Sequence, residues 1–166
     1  MGFMGPDPSR TGVDFSPPIV QLDYTFLVPA GSSIQRVADA DRPGVRIAVV
    51  SDHASTLTLS RVLKHAQLVY AATPDPTFEL LRAGQADAFA SIRAVLLAYS
   101  LKLPGSRVLE EHYGANLVGM VVPKGQTARL AYISEFIEQA KASGFVQQAI
   151  DRAGLPGHKV APAKTN

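Results

Sequence analysis

Short apolar runs alternate with segments of helical periodicity along most of this chain. Apolar and β-branched runs bounded by Gly, Pro and Ser are typical of strands, and apolar positions three or four apart are typical of helices. The predicted strands cover residues 19–28, 45–50, 68–71, 87–91, 106–109 and 116–122. The predicted helices cover residues 54–66, 74–83, 93–101, 127–143 and 145–153, and residues 154–166 are expected to be loose. Strands that alternate with helices predict an α/β fold with a parallel sheet.

Composition narrows the class of protein without naming a function. The chain has 166 residues, of which 46% are hydrophobic and 18% charged, and its net charge is +2. It has no polybasic run, so nucleic acid is not expected as a partner. With no cysteine, disulfides, a thiol nucleophile and Cys-ligated zinc are excluded, and the four histidines lack metal-ligand spacing. No cofactor or metal is expected, and the composition of the first residues is not the one expected of a signal peptide.

Several motifs then appear in a specific order. Arg10 precedes the segment 14–18 (Asp-Phe-Ser-Pro-Pro) and the strand 19–28. Further motifs are Leu-Val-Pro-Ala-Gly-Ser at 27–32, Pro-Gly-Val-Arg-Ile-Ala-Val at 43–49, Gly-Gln-Ala-Asp-Ala at 84–88 and Val-Pro-Lys-Gly at 122–125. In this order they resemble the periplasmic solute-binding proteins of bacterial ABC importers, of the amino-acid-binding family 3 type.

The resemblance implies an architecture and a role. It implies a periplasmic-binding-protein-like α/β fold, with one complete doubly wound lobe over residues 30–112 and a partial first lobe over 1–29 and 113–166. In the family nearly half a lobe precedes the position that Arg10 matches, so the chain is expected to be N-terminally truncated. The implied function is to bind a small polar solute between lobes and deliver it to a permease in the periplasm, without catalysis.

The segment after the strand 45–50 is the first candidate for ligand contact. Residues 51–56 (Ser-Asp-His-Ala-Ser-Thr) lead into a helix, whose unpaired N–H groups and dipole favour an anion. The resemblance implies ligand contact here, but the family's Gly-Ser or Gly-Thr pair is replaced by Asp52 and His53. Ser51, Asp52, His53 and Ser55 are therefore candidate ligand-binding residues. The alternative is simple N-capping by Ser51 or Asp52.

Two arginines complete the candidate site. Arg10 matches the family arginine that clamps a ligand carboxylate, for which a guanidinium fork is suited; the alternative is a surface arginine near the terminus. After the strand 87–91, amino-acid-binding relatives often carry an Asp for the ligand ammonium, and this chain has Ile92 and Arg93 instead. An acidic or neutral solute is therefore expected, unless Arg93 merely starts a helix and faces solvent.

The helix 127–143 predicts self-association. Its broad apolar face would form a large exposed patch if the rest of the first lobe did not cover it, and soluble monomers seldom expose such patches. A homo-oligomer, most simply a dimer, is therefore expected. Two other functions remain open: an enzyme similar to cyclohexadienyl or arogenate dehydratases, with Asp14, Asp52 or Glu111 as the acid, or a sensory or effector-binding domain.

Overall fold

A computed structural model describes residues 2–5 and 9–163 of the chain. The strands are β1 Gly2–Met4, β2 Val13–Val28, β3 Arg46–Val50, β4 Gln67–Ala71, β5 Ala88–Ile92, β6 Arg107–Val108, β7 Gly114–Pro123 and β8 His158–Val160. The helices are α1 Ala54–Val62, α2 Pro74–Arg82, α3 Arg93–Ser100, α4 Thr127–Ala142 and α5 Phe145–Arg152, with a 3-10 helix at Val37–Ala40. No helix of the described ranges is both long and apolar enough to cross a membrane.

The chain divides into two compact units. One holds the residues up to Leu22 and from Asn116 onward, and the other holds Asp23–Ala115. We call them the terminal unit and the central unit. The expected lobe bounds were 29/30 and 112/113, and the observed boundaries at 22/23 and 115/116 lie seven and three residues from them. The strands β2 and β7 each contain one of these boundaries.

The central unit is a mixed sheet with helices on both faces. Its strand order is β2-β5-β3-β4, in which β3 runs parallel to β4 and β5 while β2 runs antiparallel to β5 and β6. On one face Leu59 of α1 packs over Ile47 and Val49. On the other face Phe78 of α2 and Leu96 of α3 pack around Val50. Because alternate residues of a strand point to opposite faces, the apolar run of β3 supplies both cores.

The terminal unit is smaller. Strand β7 lies between β1 and β2, and β8 pairs antiparallel with Val20–Leu22 of β2. Helix α4 buries Ile133 and Ile137 against Val122. The apolar face of this helix is therefore partly covered within the unit itself. From the sequence this face was expected to be exposed.

Two predicted elements are wrong in detail. The helix expected over 54–66 ends at Val62, because the carboxylate of Asp41 accepts the backbone N–H groups of residues 64, 65 and 66 at 2.7–3.1 Å. The tail beyond residue 154 is not loose over its described part. Strand β8 forms there, and buried Ala161 donates its N–H to the carbonyl of Ile19 at 2.9 Å. Residues 164–166 of that tail lie outside the described residues.

Candidate functional site

A polar turn connects the carboxyl end of β3 to helix α1. The N–H of Ser51 donates to the carbonyl of Ala71 at 2.9 Å, and Asp52 adopts a left-handed conformation with φ of 59°. The hydroxyl of Thr56, buried in the first turn of the helix, donates back to the carbonyl of Val50 at 2.7 Å. The turn is thus held at both ends, and its shape depends on a residue that tolerates positive φ.

The amino end of α1 has no side-chain cap. The N-cap residue is His53, its backbone is extended, and it makes no side-chain cap hydrogen bond. The alternative that Ser51 or Asp52 caps this helix is therefore wrong. Helix termini leave such N–H groups for water or a ligand, and the dipole favours negative charge there.

The four predicted residues of this segment differ in exposure. Asp52 and His53 are exposed, Ser51 is half-buried and Ser55 is 4% exposed. The carbonyl of Ser55 accepts the hydroxyl of Tyr113 at 3.2 Å. The side chains of Asp52 and His53 can meet a solute from solvent, whereas Ser55 offers chiefly its backbone N–H.

Arg93 lies at the carboxyl end of β5, the strand next to β3, and it starts α3. The alternative that it faces solvent is wrong, since the residue is only 8% exposed. Its Nη1 and Nη2 donate to the carbonyls of Leu109 and Glu110, each at 2.7 Å. Its Nε lies 3.5 Å from Oδ2 of Asp23, whose side chain is fully buried. The guanidinium is thus fixed and its charge is compensated inside the protein.

Sequence reasoning missed Asp23. Its one signal is a carboxylate in the mostly apolar stretch 19–28 of β2, where a buried ionised side chain needs a partner. Nδ1 of His112 lies 3.9 Å from the same Oδ2, with the His112 side chain 45% exposed. Protonated His112 would therefore add a second positive charge beside Asp23.

The segment 109–113 is fixed from several directions. Besides the two bonds from Arg93, the hydroxyl of Thr25 lies within hydrogen-bonding distance of the carbonyls of Leu109 and Glu111, at 3.2 and 2.5 Å. The ring of Tyr113 packs 5.0 Å from that of Phe26, and burial raises the pKa of the Tyr113 hydroxyl. These contacts make the segment part of the rigid scaffold of the central unit.

Arg10 belongs to the terminal unit, where it is exposed shortly before β2. The structure therefore brings together the residues of the turn 51–55 at one sheet edge, with Arg93 at the end of the neighbouring strand. The ligand role of Arg10 stays a prediction, as do the ligand roles of the other five residues. Within residues 2–5 and 9–163, no group of three or more His, Asp or Glu could hold a metal.

Comparison with solved structures shows which known proteins share this fold. No protein-family model matches the chain, and no curated protein sequence matches it. One similar solved structure is that of an ancestral amino-acid-binding protein, which is a precursor of cyclohexadienyl dehydratase. It matches 90% of this chain with a TM-score of 0.65 at 23% sequence identity. The chain spans 64% of that protein's length.

Two further structures have the same architecture. A putative binding component of an ABC transporter from Wolinella succinogenes, complexed with lysine, matches with a TM-score of 0.71 at 20% identity, over 90% of this chain and 66% of that one. An ancestral arginine-binding protein bound to glutamine matches with a TM-score of 0.64 at 25% identity, over 93% and 68%. The chain therefore has the fold of the amino-acid-binding periplasmic proteins of ABC transporters, as the sequence resemblance predicts.

Proposed function

We propose that this chain binds a small polar organic solute as the solute-binding component, or a relative of that component, of an ABC-type importer. The observation that carries the proposal is the uncapped amino end of α1, which lies behind an exposed polar turn at the carboxyl ends of parallel strands. Ligands of open α/β sheets bind at that edge. The fold shared with amino-acid-binding proteins supports the same role.

Each predicted site residue has a proposed part. Ser51, Asp52, His53 and Ser55 form the turn that receives the polar end of the solute, with the N–H of Ser55 among the donors. Arg10 is proposed to bind a carboxylate of the solute, as its match to the family arginine implies. Arg93 is proposed to support the site chiefly through the segment 109–110, because two of its nitrogens donate to backbone carbonyls there and the residue is 8% exposed.

The charge of the solute follows from the same contacts. The sequence predicts an acidic or a neutral solute because Arg93 replaces a carboxylate. Asp23 compensates the charge of Arg93, and Asp52 is exposed in the turn, so an acidic solute would meet repulsion from Asp52 there. We therefore propose the neutral class, such as a polar uncharged amino acid. One structural neighbour is bound to glutamine, which supports this choice.

The cellular setting is proposed from the resemblance. It comprises the periplasm, an ABC permease as the partner that receives the solute, and a role without catalysis. We also propose that the chain forms a homo-oligomer, most simply a dimer. Exposed aromatic side chains on α4 and α5 support this, with Phe136 and Phe145 56% and 58% exposed.

Isothermal titration calorimetry with L-glutamine, L-glutamate and L-lysine tests the solute proposal. Glutamine should bind most tightly. Asp52→Asn should strengthen glutamate binding about fivefold, since a unit charge about 4 Å away in a water-like medium contributes about 1 kcal/mol, and it should leave glutamine unchanged. Asp151→Asn, an exposed carboxylate on α5, is the control. If lysine bound most tightly, the solute would be basic; if none of the three bound, the proposal for amino acids would fail.

A dehydratase is the second candidate function. One neighbour is a precursor of cyclohexadienyl dehydratase, which favours testing it. Of the three candidate acids, Asp14 accepts the N–H of Gly125 at 3.0 Å and Glu111 accepts the N–H of Val37 at 3.0 Å. None of the three carboxyls is buried, whereas burial is the usual means of keeping a general acid protonated. Conversion of prephenate by the purified protein would establish this function in place of simple binding.

A further inference from the structure

His112 lies at the same sheet edge as the candidate turn. Strand β2 pairs antiparallel with β5, with Tyr24 opposite Ile92, so Asp23 lies just beyond the carboxyl end of β5. Nδ1 of His112 is 3.9 Å from Oδ2 of Asp23. In the strand order β2-β5-β3, the turn 51–55 follows the carboxyl end of β3, two strands from Asp23. His112 and the turn therefore belong to one edge of the central unit.

The separation between His112 and the turn suits a small solute. Neighbouring strands lie about 4.8 Å apart, so β2 and β3 are about 10 Å apart. The residue after His112 contacts the first turn of α1 directly, because the hydroxyl of Tyr113 donates to the carbonyl of Ser55 at 3.2 Å. The side chain of His112 is 45% exposed. A solute held at the turn can therefore reach the imidazole of His112 from solvent.

The contact with Asp23 determines what the His112 ring offers to a solute. A carboxylate that faces Nδ1 favours a proton on that nitrogen, and Nε2 then lies on the far side of the ring. Nε2 accepts a hydrogen bond when the ring is neutral and donates one when the ring is protonated. His112 thus has a polar atom whose hydrogen-bonding role depends on the charge of the ring.

The other charged groups of this edge and of the segment 109–113 are already compensated or exposed. They are Asp23, Arg93, Glu110, Glu111, Asp52 and His53. Asp23 and Arg93 lie 3.5 Å apart and compensate one another, and Glu111 accepts the N–H of Val37. Burial raises the pKa of the nearby Tyr24 and Tyr113, so both stay neutral. Protonation of His112 therefore adds a positive charge that this buried pair does not cancel.

We propose that His112 is a further solute-contacting residue of the site and that its protonation sets the preference between a neutral and an acidic solute. Neutral His112 accepts an N–H of the solute at Nε2. Protonated His112 donates to a carboxylate of the solute instead. This inference rests on the proposed binding function and names a group that selects the charge of the solute.

Calorimetry at two pH values tests the role of His112. L-glutamine and L-glutamate are titrated at about pH 5.5 and about pH 7.5, a range in which histidine changes charge and the glutamate carboxylates stay ionised. Where glutamate binds weakly, its affinity is measured by displacement of glutamine. The ratio of glutamate affinity to glutamine affinity should rise as pH falls. His112→Gln should remove about fivefold of that rise, as expected for one unit charge about 4 Å away in a water-like medium.

Two comparisons isolate the effect of His112. The exposed His53 also changes charge over this range, so the measured quantity is the difference between wild type and His112→Gln. His65→Gln, at an exposed histidine elsewhere in the central unit, is the matched control and should behave as wild type. Circular dichroism checks that each variant is folded.

The outcomes separate this inference from the proposed function. If His112→Gln keeps the full pH dependence of wild type, His112 does not select charge, while the binding function stands. The same holds if His112→Gln weakens both amino acids equally at both pH values, because this would indicate a structural role. If neither amino acid binds the wild-type protein at either pH, the proposal for amino acids fails and this inference fails with it.

Discussion

The buried pair of Asp23 and Arg93 provides the sharpest test of how the central unit is built. Asp23→Asn keeps the shape of the side chain and removes its negative charge. Arg93 cannot move to water in response, because its two terminal nitrogens donate to carbonyls at 2.7 Å. The substitution therefore leaves a buried cation without its compensating carboxylate.

The size of the effect follows from burial and distance. Asp23 is fully buried, the Arg93 side chain is 10% exposed, and their charged atoms lie 3.5 Å apart. Removing one partner of such a pair costs about 3–5 kcal/mol. Nε of Arg93 has no hydrogen-bond partner among the described residues and lies 3.5 Å from Asp23, so we expect a loss at the lower end of this range, about 3 kcal/mol. With a urea m-value of about 2 kcal/mol per molar, the midpoint should fall by about 1.5 M.

Urea unfolding followed by circular dichroism measures this change. Asp52→Asn provides the matched control, since the same chemical change occurs at an exposed position and Asn also tolerates the left-handed backbone there. The control should leave the midpoint unchanged. A loss smaller than about 1 kcal/mol in Asp23→Asn would refute the reasoning, because it would mean that Arg93 does not depend on this carboxylate.

Two other ionisable groups give separate predictions. The hydrogen bond from Arg46 holds the pKa of Asp87 below its usual value, so Asp87→Asn should cost on the order of 1 kcal/mol at pH 7 after allowance for solvent screening. The contribution of Asp87 to the free energy of unfolding is complete above its pKa in the unfolded chain, about 3.9, and is lost as pH falls through its lower pKa in the folded protein. The free energies of unfolding of wild type and variant should therefore converge as pH falls below about 4. Burial, and then the hydrogen bond to Asp75, raise the pKa of Tyr99 to about 12. Ultraviolet absorbance follows ionisation of the tyrosine hydroxyls, and the difference between the titrations of wild type and Tyr99→Phe should show this midpoint for Tyr99. Asp75→Asn should lower the midpoint. A wild-type midpoint near 10 would contradict the hydrogen bond.

Local pattern predicted the regular elements of the chain because their cause is local. Five helices and the main strands follow from apolar spacing and from the Gly and Pro residues that bound them. The errors arise where long-range contacts override the local pattern. The carboxylate of Asp41 accepts the backbone N–H groups of residues 64–66, which lie 23 to 25 residues further along the chain. Strand β8 forms by pairing with β2. The spacing of apolar residues within residues 64–66 or within β8 does not show that Asp41 or β2 will contact them.

The candidate site divides in the same way. The turn 51–55 was predicted from a strand followed by polar residues and a helix, which is again a local signal. The importance of Asp23 could not be predicted, since its partner is 70 positions further along the chain and only the fold brings them together. The resemblance supplied the position of Arg93 but not its use, because a ligand contact and a scaffold contact both need an arginine at the carboxyl end of β5.

The scaffold role of Arg93 has a consequence for recognition. In the family that the chain resembles, the corresponding position often carries the carboxylate that meets the ligand ammonium. In this chain it carries a cation, and the compensating carboxylate, Asp23, is buried beneath it. The pair is nearly neutral as seen from solvent, so it neither attracts nor repels a charged group strongly. Under the proposed binding role, selectivity for charge would come from exposed groups at the same edge, among them Asp52, which directly precedes the N-cap residue His53 of α1. An exposed carboxylate beside a helix dipole that favours anions would have little net preference for charge, which is why we propose a neutral polar solute over either charged class.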